Sequence, residues 1–353
     1  LIKININYYA NKMKYNNILK YLIYGGLFLI PFIPLVISSS MYFPFITGKN
    51  FAFRILAEII IGLWAVLAVR DGKYRPKFSL ISYAVLAFVA IIALADGFGV
   101  YPYKSFWSNY ERMEGLVTLL HLLGLFFAFS SVLKTEKLWS RFFHASIGVS
   151  VILGIYGLFQ LSGAITINQG GVRVDGTLGN ATYLAVYMLF HIFPTFFFMV
   201  KRHYRKNTEG GFFSDYVNYI YGSIIALQTV MLYYTASRGP ILGLIGGVFI
   251  SSILIVIFEK ERKGIRKTAL SVLAAIVVIS GSFVAFRDSD FIRSSAVLAR
   301  FSDISVGERT TRSRFMIWDM AYQGFKERPI LGWGQENFNY VFNKYYNPKM
   351  YDQ

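Results

Sequence analysis

The chain has 353 residues, 55% of them hydrophobic and only 16% charged, with a formal net charge of +17. A soluble domain is nearer one-quarter charged, and several apolar runs here are long enough to span a bilayer as helices. A soluble enzyme is therefore excluded, and the basic balance points to cytoplasmic loops of a membrane protein rather than to nucleic acid. The absence of cysteine excludes disulfides and thiolate metal sites, and His121, His144, His191 and His203 lack metal-ligand spacing.

In chain order, residues 1–17 read as a cytoplasmic tail, with Met13-Lys14 as a natural start and 1–12 as an upstream extension. The run at 18–40 is too long for a signal-peptide core and reads as the first span. Eight more are expected at about 51–69, 78–95, 115–133, 142–163, 181–200, 218–236, 239–258 and 268–286. The fold class is thus an all-α polytopic membrane protein with about nine transmembrane helices over 18–286. Residues 287–353 form a long, partly helical loop. Lysines and arginines alternate strongly between the two sides, with twenty in the N-terminal tail and loops of one side against five in the short loops of the other. Basic residues favour the cytoplasmic side, so the N-terminus is expected inside and the long loop outside the cytoplasmic membrane. Within that loop, Trp318, Ala321 and Phe325, with Met320 and Gly324, have the spacing of an amphipathic helix. Pro329 ends it, and a second, aromatic-rich helix is expected over about 336–346.

Inside the spans, Arg54 and Glu58 sit four apart and read as a structural pair. His121 reads as a buried hydrogen-bonded histidine in preference to a base. His191, mid-span, is a candidate proton relay without an evident charged partner.

Four polar features share the expected outer face. They are the loop from Tyr101 to Gly115 with Arg112, the segment from Gln169 to Asn180 with Arg173, the turn Ser237-Arg238-Gly239-Pro240, and Arg309, Arg312 and Arg314 ahead of Trp318. Arginine presents a fixed, permanently charged fork that matches phosphate oxygens. Gly239 permits close backbone approach, and Pro240 suits the first turn of a helix whose N-terminus favours an anion. By spacing alone a boundary arginine is more often a snorkelling anchor. Arg173 beside Asp175 reads equally as a surface ion pair, and the three loop arginines read as a solvated helix face.

Several segments resemble the bacterial O-antigen ligase family, which also takes in O-antigen polymerases and protein O-oligosaccharyltransferases. Residues 176–185, Gly-Thr-Leu-Gly-Asn-Ala-Thr-Tyr-Leu-Ala, are similar to its Gly-Thr-x-Gly-Asn-Pro-Asn-x-Leu-Ala signature, with Ala181 and Thr182 in place of Pro-Asn. Ser237-Arg238-Gly239 resembles its Ser-Arg-Gly turn. Arg314-x-x-x-Trp318, then Pro329-Ile330-Leu331-Gly332-Trp333-Gly334 and Asn337-Phe338, resemble its loop pattern.

The resemblance implies a glycosyltransferase that moves a glycan from an undecaprenyl-diphosphate carrier to an acceptor hydroxyl at the outer face of the cytoplasmic membrane. The acceptor is lipid A core for a ligase, and a glycan or a protein for the other members. The scheme needs no metal and no cofactor. By motif, Arg238 and Arg314 would hold the diphosphate, with Arg312 competing with Arg314. Arg112, Arg173, Asn180 and Trp318 are candidate glycan or acceptor contacts. The family's base is a histidine that follows a Tyr-Asn-Pro-Lys stretch like Tyr346-Asn347-Pro348-Lys349. It is expected beyond Gln353, so the chain reads as an inactive fragment cut inside the catalytic loop. A transporter or flippase for a lipid-linked glycan is the rival from another class, and would show inverted repeats and broken helices. A non-enzymatic scaffold leaves the ordered arginines without a role.

Overall fold

The computed structural model describes residues 2–169, 171–206, 215–302 and 309–351, and their side chains except those of 2–12, 205–206 and 309–310. Among the described residues every regular element is helical. The long helices are α1 (Ile2–Leu29), α2 (Thr47–Arg70), α3 (Leu80–Gly97), α5 (Leu116–Val132), α6 (Glu136–Leu161), α7 (Ala181–Lys206), α8 (Tyr216–Tyr234), α9 (Arg238–Phe258), α10 (Lys263–Ala285) and α13 (Arg309–Glu327). Short ones are α4 (Pro102–Trp107), α11 (Asp290–Ser294), α12 (Ala299–Ser302) and α14 (Phe338–Lys344).

All nine expected spans fall on helices, and seven helices are long and apolar enough to cross a membrane. They are Met13–Leu35, α2, α3, α6, Ala181–Tyr204 of α7, α9 and α10. The other two fall short for different reasons. Helix α5 has 17 residues, and α8 is diluted by Asn218, Gln228 and five tyrosines. The first span stops before residue 40. Its α-helix passes at Leu29 into a 3-10 turn over Ile30–Leu35 that carries Pro31 and Pro34, which lack the N–H an α-helix needs.

The chain divides into two compact units, Leu1–Ala145 with Val306–Gln353, and Ser146–Ser305. In the first, α1, α2 and α5 enclose Ile23, Leu27, Ala57, Ile60, Leu125 and Ala128. Arg54 and Glu58 do not simply close on each other. Arg54 donates to the carbonyl of Met113 and to Thr118 Oγ1 (2.9 Å). Glu58 Oε1 lies 3.0 Å from His121 Nε2, whose Nδ1 donates to the Val117 carbonyl. The charges of α2 thus tie it to α5, and His121 is hydrogen-bonded and largely covered, as expected.

In the second unit, Leu153, Leu184, Met188, Met231 and Leu232 are buried. A Cβ at Gly157 would strike Met231 and crowd Val174, so only glycine allows that approach. Gln228, fully buried, donates to Ser150 Oγ (2.8 Å) and Thr195 Oγ1 (3.2 Å). Interhelical bonds of this kind contribute roughly 0.6 kcal/mol each in a membrane. His191 donates from Nδ1 to the Tyr187 carbonyl, which leaves Nε2 to accept from Ser146 Oγ at 2.7 Å.

Candidate functional site: the Ser-Arg-Gly turn and the loop carried by α13 and α14

In the second unit the segment before α7 is strapped onto the turn between α8 and α9. Asp175 is fully buried and accepts from Gln160 Nε2 (2.8 Å), Asn168 Nδ2 (3.3 Å) and the Gln169 backbone N–H (2.9 Å). Gln160 Oε1 in return accepts from Gly176 N–H at 2.8 Å. Asp175 therefore anchors its own segment, and the ion pair with Arg173 that the sequence allowed gives way to a different arrangement. Arg173 reaches to the turn. Its Nε donates to the Thr235 carbonyl (3.0 Å) and its Nη2 to Ser237 Oγ (3.2 Å), while Val174 N–H donates to the Tyr234 carbonyl (3.2 Å). Burial, and then the nearby Arg300 guanidinium, lowers the Arg173 pKa, though an arginine stays charged.

The turn is unusual in its backbone. Ala236 has φ +49°, a left-handed conformation uncommon outside glycine. Ser237 precedes α9 but does not cap it, because its hydroxyl meets Arg173 and the Thr235 carbonyl instead. Arg238 follows as the first residue of α9, half-buried, and Pro240 lies within the first turn. A Cβ at Gly239 would point into open space, so the surface of the turn beside Arg238 is bare. Such a helix start, bearing an arginine, suits a phosphate oxygen.

In the first unit the Pro329–Gly334 segment docks on the chain that follows α3. Val100 N–H donates to the Trp333 carbonyl (3.1 Å), and Gln335 N–H donates to Asp96 Oδ1 (2.6 Å). Ser105 Oγ donates to the Gln335 carbonyl (2.8 Å) and accepts from Asn337 Nδ2 (2.9 Å). Gly334 has φ +85°, and a Cβ there would press on Ser105 Oγ, so its conformation and its contact both require glycine. Trp333 donates from Nε1 to the Gly324 carbonyl (2.9 Å) and lies under the Arg328 guanidinium, 4.5 Å from the ring centre.

The remaining predicted residues fall in varied settings. Arg312, Arg314 and Trp318 are exposed on α13. The expected helix around Trp318 is present and ends at Glu327, ahead of Pro329, and the second expected helix is α14. Asn180 Oδ1 accepts from Thr182 N–H at 2.8 Å, the work of a helix cap at α7. Arg112 is half-exposed and its charge lies 3.9 Å from Glu111. The side chain of Arg309, and Gly170, lie outside the described residues. Sequence reasoning missed Asp175, Ser237, Ala236 and Asp96 as organisers. The available signals were two isolated carboxylates, Asp175 in a Gly-rich stretch and Asp96 at the end of the apolar run of α3.

Residues 223–353 match the model of the O-antigen ligase family. The match takes in the second half of α8, the Ser-Arg-Gly turn, and α13 with the loop after it, so it includes Arg238, Arg312, Arg314 and Trp318 but not Arg112, Arg173 or Asn180. No curated protein and no solved structure matches the chain. This multi-pass membrane protein, with its uncapped arginine-bearing helix start, matches the O-antigen ligase family over residues 223–353.

Proposed function

We propose that the protein transfers a glycan from an undecaprenyl-diphosphate carrier to an acceptor hydroxyl at the outer face of the cytoplasmic membrane, with Arg238 holding the diphosphate. The family domain supports glycan transfer. The observation that carries the residue assignment is the turn itself: Arg238 opens α9, and Arg173 draws the Ser237 hydroxyl away from capping it. In the reaction the bond from the anomeric carbon to the diphosphate oxygen breaks as the acceptor oxygen attacks. Negative charge grows on the departing diphosphate, which a guanidinium stabilises. The acceptor's proton passes to a base, a role no arginine fills because it stays protonated. Arg314 or Arg312 is the second cation that the family resemblance adds. Lipid A core, a growing glycan and a protein hydroxyl share this donor chemistry and differ only in the acceptor.

Transport of the lipid-linked glycan is the less favoured reading. It calls for charged groups near mid-bilayer and broken helices, whereas Arg54 and Glu58 are engaged between α2 and α5, by the Met113 carbonyl and Thr118 and by His121, and His191 meets Ser146 and the Tyr187 carbonyl on a continuous helix. The test is Arg238→Ala in the full-length protein, with transfer from a diphosphate-linked glycan measured in vesicles. Transfer is expected to fall roughly a hundred-fold or more at unchanged membrane abundance. Arg238→Lys should recover only part of it, since an ammonium lacks the planar fork. Wild-type transfer by Arg238→Ala would remove the phosphate role.

A further inference from the structure

Helix α13 carries apolar residues on two faces. Met320 and Gly324 are buried, with Val341 of α14 closing on Gly324. The opposite side carries Phe315, Trp318, Tyr322 and Phe325, exposed by 49%, 63%, 55% and 56%. At 100° per residue these four fall within an arc of roughly 80°. Arg314 lies on the edge of that arc, and Arg312 and Lys326 flank it. The two acidic residues of the helix do not cancel this charge: Glu327 is engaged by Lys344 Nζ (2.6 Å) and the Tyr345 hydroxyl (2.7 Å), and Asp319, which accepts from Gln323 Nε2 (2.9 Å), leaves Arg312, Arg314 and Lys326 in excess.

The height of the helix is set by its C-terminal end. Trp333 holds the Gly324 carbonyl, and its own carbonyl holds Val100, while Gln335 is bound to Asp96. Asp96 is the penultimate residue of α3, a helix long and apolar enough to cross the membrane. The last turn of α13 is therefore held at the bilayer boundary. The helix is about 28 Å long. Standing away from the membrane, it would present all four rings to water.

We propose that α13 lies in the membrane interface, with Phe315, Trp318, Tyr322 and Phe325 at the boundary between headgroups and acyl chains and with Arg312, Arg314 and Lys326 among anionic phospholipid headgroups. Tryptophan and tyrosine concentrate at that depth, and an aromatic stripe flanked by basic residues is the pattern of helices that lie on a bilayer. The inference does not rest on the transfer reading. It does place Arg314 at the depth of lipid phosphates.

The chain has no cysteine, so single nitroxide labels can be introduced without other changes. Phe315→Cys, Trp318→Cys, Tyr322→Cys and Phe325→Cys, with Asp319→Cys on the polar edge, would be labelled in the full chain. Each is reconstituted into vesicles of phosphatidylethanolamine and phosphatidylglycerol. The stripe labels are expected to relax more with oxygen than with a water-soluble nickel chelate, and the Asp319→Cys label to show the reverse. Relaxation of the stripe mainly by the chelate would place it in water and overturn the proposal. Protection from both reagents would mean coverage by protein, from this chain or a second copy, and would overturn it equally. An independent readout needs no label. Headgroup-brominated lipids should quench the wild-type chain more than Trp318→Phe, and equal fractional quenching would count against the proposal.

Discussion

Ala236 holds a left-handed backbone although it is not glycine, and it is fully buried. A conformation of this kind persists only where its surroundings over-determine it. Here the Arg173 fork grips the carbonyl of Thr235 and the hydroxyl of Ser237 on either side of Ala236. The same strain recurs at Ser108, Met113 and Glu336, which border the chain around α4 or the docked loop before α14. Ala236→Gly relieves the backbone but gives up a buried methyl group, so thermal unfolding in detergent should change by less than about 1 kcal/mol. Ala236→Val adds a branched side chain to a left-handed, closed position and should cost about 2–4 kcal/mol. Equal melting of the two variants would show that the turn is not held in this conformation.

At the scale of elements, α13 and α14 are joined by packing at Gly324 and by the pairing of Glu327 with Lys344 and Tyr345. The Lys344 ammonium and then the Tyr345 hydroxyl hold the Glu327 carboxyl below its usual range, and Glu327 holds Lys344 above its own. A depressed carboxylate contributes stability above its unfolded value and loses it as pH falls through the folded one. A raised lysine contributes below its unfolded value and loses it as pH rises. The tie is thus present between the ordinary values of 4.5 and 10.5. Protease accessibility of α14 should rise toward acid pH in the wild type. In Glu327→Gln it should be raised already at neutral pH, with the acid step reduced. An identical profile in the two proteins would assign the tie no role. The pair is solvent-exposed, so the effect is small and screened by salt.

At the scale of the whole molecule, the distribution of lysine and arginine predicts a cytoplasmic N-terminus and an external 287–353 segment. Asp71→Cys and Tyr346→Cys should therefore respond oppositely to a membrane-impermeant maleimide. Tyr346→Cys is expected to react in intact cells and Asp71→Cys only after permeabilisation. The reverse pattern would invert the topology and place Arg314 on the cytoplasmic side. The sequence by itself determined the helical membrane class, the positions of the long helices, the amphipathic α13 and a resemblance to the O-antigen ligase family that the match over residues 223–353 supports. Each of these follows from local composition, periodicity or short motifs. It could not tell which way α13 turns, because Met320 and Trp318 are both apolar and only packing against α14 decides which is buried. Nor could it separate an Arg173–Asp175 pair from an Arg173 clamp on the α8–α9 turn, since the neighbours of Asp175 come from Gln160, Asn168 and Gln169 and the partners of Arg173 lie more than sixty residues away. The first choice rests on packing and the second on hydrogen bonds, and only the tertiary structure brings such groups within reach.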